Sequence, residues 1–138
     1  MELAQTRYPA ARLDDLAAMR QFVEDAATAV CPNPDVISEL IIAFNEAVTN
    51  VIVHGYQGQP GVIEIAVESS DRQLRVHIRD QAPAFDPTLV PVPDVTLPLE
   101  QRPLGGMGVH MMRQFVDNLV YRAISSGGNE LILEKEVA

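Results

Sequence analysis

The sequence contains one cysteine, Cys31, so no disulfide can close within the chain and no oxidising compartment is needed to hold the fold together. Basic residues are also scarce. Ten lysines and arginines stand against 19 aspartates and glutamates, a formal charge of −9. Without a local basic patch such a surface repels a phosphate backbone, which argues against nucleic acid as a direct partner. The opening MELAQTRYPA lacks the apolar core of a signal peptide, and no apolar run reads as long enough to span a bilayer. The expectation is a cytoplasmic protein without a membrane partner. Several chemical motifs are absent too. There is no GxxxxGK[ST] loop and no GxSxG elbow, and GGMGVH fails GxGxxG because Met111 stands where the third glycine would fall. His54, His77, His110 and Cys31 show no metal-ligand spacing and read as structural.

What is present is enough apolar material for one substantial core: 47% of 138 residues. No repeat and no second domain is apparent, so residues 1–138 are read as a single domain. Residues 2–8 suggest a short first strand ending at Pro9. In residues 14–30, Leu16, Met19, Phe22, Val23, Ala26, Ala27 and Val30 recur at steps of three and four, which predicts an amphipathic helix that CPNP then breaks. A second helix is predicted from about Asp35 to His54, with Gly55 as its stop. VIEIAVE and LRVHIRD alternate apolar and polar residues around SSDRQ, the pattern of a hairpin with one buried face. Residues 83–103 hold most of the ten prolines and read as an irregular loop, a composition common in lids. A helix over residues 107–118 and a closing hairpin around SSGGN complete the order.

Two segments carry chemistry: NEAVTNVIVHGY from Asn45 and RPLGGMGVHMMRQFVD from Arg102. Glu46 and Asn50 lie one helical turn apart, which sets a carboxylate and an amide oxygen side by side, as a base and a metal ligand require. On the second helix Ile37, Leu40, Ile41, Phe44, Val48, Val51 and Ile52 form one face, and Glu39, Ala43, Glu46, Asn50 and Val53 the opposite one. Polar residues opposite a core stripe are ordinarily just solvated. Ala43, Ala47 and Val53 argue that something covers this face. The glycines of the second segment read by themselves first as a hinge into a helix, and otherwise as a phosphate cradle at a helix N-terminus. Asp80, ending a strand, is either a turn former or an acceptor for an amino group such as that of adenine.

The order NEAVTNVIVHGY, IRDQAPAFDP, RPLGGMGVHMMRQFVDNLVY resembles the anti-sigma-factor serine/threonine kinases of the histidine-kinase-like (Bergerat, or GHKL) ATPase superfamily, over nearly the whole chain. The resemblance implies a two-layer α/β (α+β) sandwich, a mixed and largely antiparallel sheet with helices on one face, binding ATP and Mg2+ under a lid at about residues 83–104. It implies Glu46 as general base, Asn50 as magnesium ligand, Asp80 as the acid facing adenine, and Gly105, Gly106 and Gly108 around the phosphates. Arg102, just before them, is a further candidate for phosphate or partner contact. It also implies a homodimer, a STAS-type anti-anti-sigma protein as phosphorylation partner and a sigma factor as the regulated protein.

The chain departs from that pattern in the first glycine box. DxGxG is replaced by Asp80-Gln81-Ala82-Pro83-Ala84, and alanine resists positive φ and close backbone approach. Asn129-Glu130 stand where many relatives have a small hydroxyl residue. Two readings therefore remain: a protein serine kinase, or a non-catalytic nucleotide-sensing module that sequesters a regulatory partner.

Overall fold

The computed structural model describes residues 1–90, 96, 98 and 106–137. The chain runs β1 (Glu2–Ala11), α1 (Leu16–Thr28), α2 (Pro34–Asn50), β2 (Gly61–Ser70), β3 (Gln73–Asp80), α3 (Gly106–Phe115), β4 (Asn118–Ala123) and β5 (Asn129–Glu136). The strands form one sheet in the order β1-β2-β3-β5-β4, and all four described pairings are antiparallel. β3 is thus the central strand. The last hairpin folds back so that β5 lies against β3 and β4 takes the edge.

Local chemistry explains where the elements begin and turn. Asn33 caps α2, its side chain accepting from the Asp35 N–H, and Pro34 fills the first helical position. Asp71 and Arg72 both have positive φ, as a two-residue turn between right-twisted strands requires. β1 continues through Pro9 to Ala11, beyond the end read from sequence. It is an edge strand, where a missing N–H is tolerated, and its register shifts between Tyr8 and Ala11. α3 stops at Phe115, shorter than its periodicity suggested, because the chain joins the sheet at once: Asp117 N–H donates to Glu134 O, and Asp117 Oδ2 accepts from Glu136 N.

Alternation gives the sheet two unlike faces. Leu74, Val76, Ile78 and Asp80 of β3 point to the helices, joined by Ile63, Ile65 and Val67 of β2 and by Leu133 of β5. Phe44, Leu40, Met19, Val23 and Met112 meet them from the helical layer, forming one core. Burying a side chain of this size contributes roughly 1.5–3 kcal/mol each, so this layer supplies the main driving force for the fold. α2 is buried from several sides, packing on α1, α3 and β5. That explains a correction to the sequence reading. The helical run Pro34–Gly55, 22 residues with mean hydropathy 1.6, is long and apolar enough by composition to cross a membrane. Here it is the central helix of the domain.

The other face carries ions. Arg75 pairs with Glu134 at 2.7 Å, and Glu130, 1% exposed, is held by Arg79 and by Arg122 at 2.5 Å. His77 lies between Glu68 at 2.9 Å and Glu130 at 3.5 Å, partners that its sequence spacing did not reveal. Burial alone would raise the Glu130 carboxyl, but Arg79, Arg122 and His77 outweigh it and hold the group below its ordinary value.

Two predictions follow from this framework. A folded-state value below the ordinary one means that Glu130 stabilises fully above about pH 4.3, and that this contribution fades as pH falls through the folded value. Glu130→Gln should therefore flatten the acid side of the stability-against-pH curve, and denaturant titrations between about pH 5 and 3 would check it. In the closing turn, Gly127 and Gly128 have φ of +109° and +100°. A β-carbon at Gly127 would meet open space, whereas one at Gly128 would stand 2.0 Å from the Asp80 carbonyl oxygen. Gly127→Ala should cost roughly 1 kcal/mol and Gly128→Ala clearly more, on the order of 3 kcal/mol, in urea unfolding.

Candidate functional site

A cavity of about 540 Å3 opens between the end of α2, the start of α3 and the ends of β3 and β5. The size is that of a small-molecule site. Asn50, Val51 and His54 line it from α2 and the π-helical turn that follows, Asp80 from β3, Val109 and Met112 from α3. Most of the wall is apolar, with polar groups at its two ends.

One polar end is Asp80. The antiparallel register sets Asp80 opposite Asn129, so the last residue of β3 meets the first of β5. Asp80 is 5% exposed, and its Oδ1 accepts from Asn129 Nδ2 and from Ala82 N–H, each at 2.9 Å. Removal from water raises this carboxyl above its ordinary value, and those two donors draw it part of the way back. Oδ2 has no protein partner among the described residues, so it is free to accept from a donor in the cavity.

The other end is Asn50, and Glu46, one turn earlier on α2, stands beside it without lining the cavity. Both are half-buried on α2, one turn apart, and the backbone of Gly108 in α3 lies against them. A β-carbon at Gly108 would stand 3.1 Å from Glu46 Oε2 and 3.6 Å from Asn50 Oδ1. Of the three residues that suggested a covered face, Ala43 and Ala47 are buried, with α3 packing along α2, whereas Val53 is 40% exposed, beyond the reach of that cover. Gly106 is the first residue of α3, so the helix opens there with backbone N–H groups that have no intrahelical partner. Arg102 and Gly105 lie outside the described residues.

The altered glycine box is accommodated without strain, since neither Ala82 nor Ala84 has a positive φ. Gly55, at the end of the π-helical turn, makes the room: a β-carbon there would stand 2.9 Å from that of Ala82. Tyr56 then fixes the segment, its hydroxyl donating to Val62 O at 2.5 Å and accepting from Gln81 N–H at 2.7 Å. The lid expected over residues 83–104 falls largely outside the described residues. Its first part is tied down, because Arg113 of α3 donates to the carbonyls of Pro87 at 3.0 Å, Thr88, and Val90 at 2.6 Å.

Sequence reasoning missed Tyr56 and Arg113 as members of this site. Tyr56 lies inside the NEAVTNVIVHGY segment and Arg113 inside the glycine segment, so position was a signal for both. Asn129, already noted as standing where many relatives have a small hydroxyl residue, is tied by its side chain to Asp80, Ala82, Pro83 and Phe85.

A helix pair supporting Glu46 and Asn50, a buried aspartate ending the central strand, and an antiparallel sheet beneath three helices define a class. Residues 10–135 match the histidine kinase-like ATPase domain, and the chain belongs to that family. It is 30% identical over 135 residues to the anti-sigma F factor of Clostridium acetobutylicum, covering 93% of this chain and 90% of that protein. It is 34% identical to the anti-sigma F factor of Clostridium botulinum (strain Eklund 17B / Type B) over 76% of this chain and 74% of that one. The serine/threonine-protein kinase BtrW of Bordetella bronchiseptica is 31% identical, over 72% and 70%.

Gly108 gives the site a direct test. Helix propensity favours alanine over glycine by up to about 1 kcal/mol, so Gly108→Ala should leave stability unchanged or slightly raised. The new methyl would nevertheless displace the Glu46 carboxylate by a few tenths of an ångström, which should lower turnover at the site on the order of tenfold. Thermal unfolding and turnover measured on the same preparation would separate the two effects.

Proposed function

We propose that this chain is an ATP-dependent protein serine kinase and anti-sigma factor of the cytoplasm, which phosphorylates a STAS-type anti-anti-sigma partner and so regulates the availability of a sigma factor. The observation that carries this reading is the Glu46–Asn50 pair seated on Gly108, with Asn50 and Asp80 lining one cavity. The similarity to two anti-sigma F factors and a serine/threonine kinase supports it.

The residues suit the cofactors. Asp80 Oδ2 can accept from the exocyclic amine of adenine but would face the carbonyl of guanine. Gly106 and Gly108 bring backbone without side chains to the phosphate end, and Arg102 with Gly105 belong to the same proposed cradle. Magnesium takes few protein ligands and completes its shell with phosphate and water, here with Asn50 as the protein ligand. When bound, the ion would neutralise charge on the phosphates. Glu46 would accept the proton of the attacking serine hydroxyl, and the cavity would hold the nucleotide in line with it. A homodimer, and a lid over residues 83–104, belong to the same proposal.

The tethering of residues 82–90 favours a second reading, a nucleotide-sensing module that sequesters its partner without catalysis, because a stiff segment closes less readily over a ligand. Incubation with magnesium, labelled ATP and candidate STAS proteins decides between them. Label should pass to a partner serine. Glu46→Gln should keep ATP binding and slow transfer by on the order of a hundredfold or more, while Asn50→Ala should weaken magnesium-dependent binding. ATP binding without transfer by the wild-type protein would favour the module, and equal single-turnover rates for wild type and Glu46→Gln would remove Glu46 as the base.

A further inference from the structure

Asn129 uses every hydrogen-bonding group it has inside the protein. Its Nδ2 donates to Asp80 Oδ1 at 2.9 Å, Ala82 O at 3.3 Å and Pro83 O at 3.2 Å. Its Oδ1 accepts from Phe85 N–H at 2.9 Å and Tyr121 OH at 2.6 Å. Three acceptors on one side and a backbone N–H on the other fix which end of the amide is which. Asn129 lines the cavity, but its side chain is 7% exposed and its polar groups are all bonded within the protein.

Its partners are what a ligand would meet. The Nδ2–H and the Ala82 N–H converge on Oδ1 of Asp80, which leaves Oδ2 of this cavity-lining residue as the unused acceptor among the described residues. The same amide grips the backbone at residues 82, 83 and 85, which forms the adjacent cavity wall. This segment contains no glycine, and Asn129 gives it a fixed course through side-chain bonding.

We propose that Asn129 is a positioning residue for nucleobase recognition: one amide sets which oxygen of Asp80 faces the base and locks residues 82–85 as the wall beside it. The inference rests on the proposed nucleotide site. It goes further by assigning selectivity jointly to Asp80 and to a residue whose hydrogen-bonding groups are all engaged within the protein. Residue type matters in a defined way. Threonine has one donor, enough for Asp80 but unable to hold the wall as well, whereas leucine keeps the volume and loses both functions.

The test compares wild type with Asn129→Leu, Asn129→Thr and Asp80→Asn, titrating ATP and GTP by calorimetry and following exchange of the Phe85 amide. Wild type should prefer ATP. Asn129→Leu should lose at least about tenfold in ATP affinity, lose most of the preference over GTP, and expose the Phe85 amide to exchange. Asn129→Thr should recover the ATP preference while the Phe85 amide still exchanges fast, a separation that general destabilisation would not produce. Should the leucine variant fail to fold, the threonine variant carries the test alone. Wild-type selectivity in Asn129→Leu, or in the threonine variant slow Phe85 exchange or a lost ATP preference, would overturn the proposal. If Asp80→Asn alone abolished the preference, the nucleotide site would stand without Asn129. A wild type that bound neither nucleotide would overturn both readings.

Discussion

Burying a carboxylate at the end of a central strand costs several kcal/mol unless its charge is hydrogen-bonded, and the pairing of β3 with β5 supplies that bond. Asp80 and Asn129 face each other because the register holds from Gln73↔Glu136 to the far end of both strands. A slip of one residue would turn Asp80 toward the ionic face and Arg79 into the apolar core. The register is therefore specified twice, by Val76 and Ile78 with Leu133 on one face and by Arg79 with Glu130 on the other. Gly128 completes the fit, since its lack of a β-carbon admits the Asp80 carbonyl.

The rest of the site hangs from this point. Asn129 reaches from Asp80 to the wall at residues 82–85, and Arg113 continues the tethering to residues 87–90 from α3. α3 in turn carries Gly108, whose backbone sits against Glu46 and Asn50. The two polar ends of the cavity are thus joined through packed and bonded parts. Lys135 adds a brace from β5, pairing with Glu39 of α2 at 2.7 Å and donating to Phe115 O of α3 at 2.8 Å.

Much of this was legible in the sequence because it is local. The period of α2, the alternation of β2 and β3 and the one-turn spacing of Glu46 and Asn50 each occupy a short window, and Ala43 and Ala47 betrayed a covered face before α3 was known to cover it. What depended on contacts distant in sequence was not legible. Asn129 lies 49 residues from Asp80, and no pattern around it announces the pairing. Glu130 falls on the outward phase of β5 yet is buried, because Arg79 and Arg122 close over it. The run Pro34–Gly55 was hard to classify by composition for a related reason: a helix that packs on a sheet and on two other helices carries a wide apolar face, which raises its mean hydropathy toward that of a membrane helix.

The central claim is that one cavity binds a nucleotide with its base at Asp80 and its phosphates at Glu46, Asn50 and the start of α3. A crystal structure with magnesium and a non-hydrolysable ATP analogue addresses it most directly. The account predicts the base amine within hydrogen-bonding distance of Asp80 Oδ2, the metal on Asn50 and the phosphates against Gly106 and Gly108. A nucleotide in the reverse orientation, or bound outside this cavity, would contradict it.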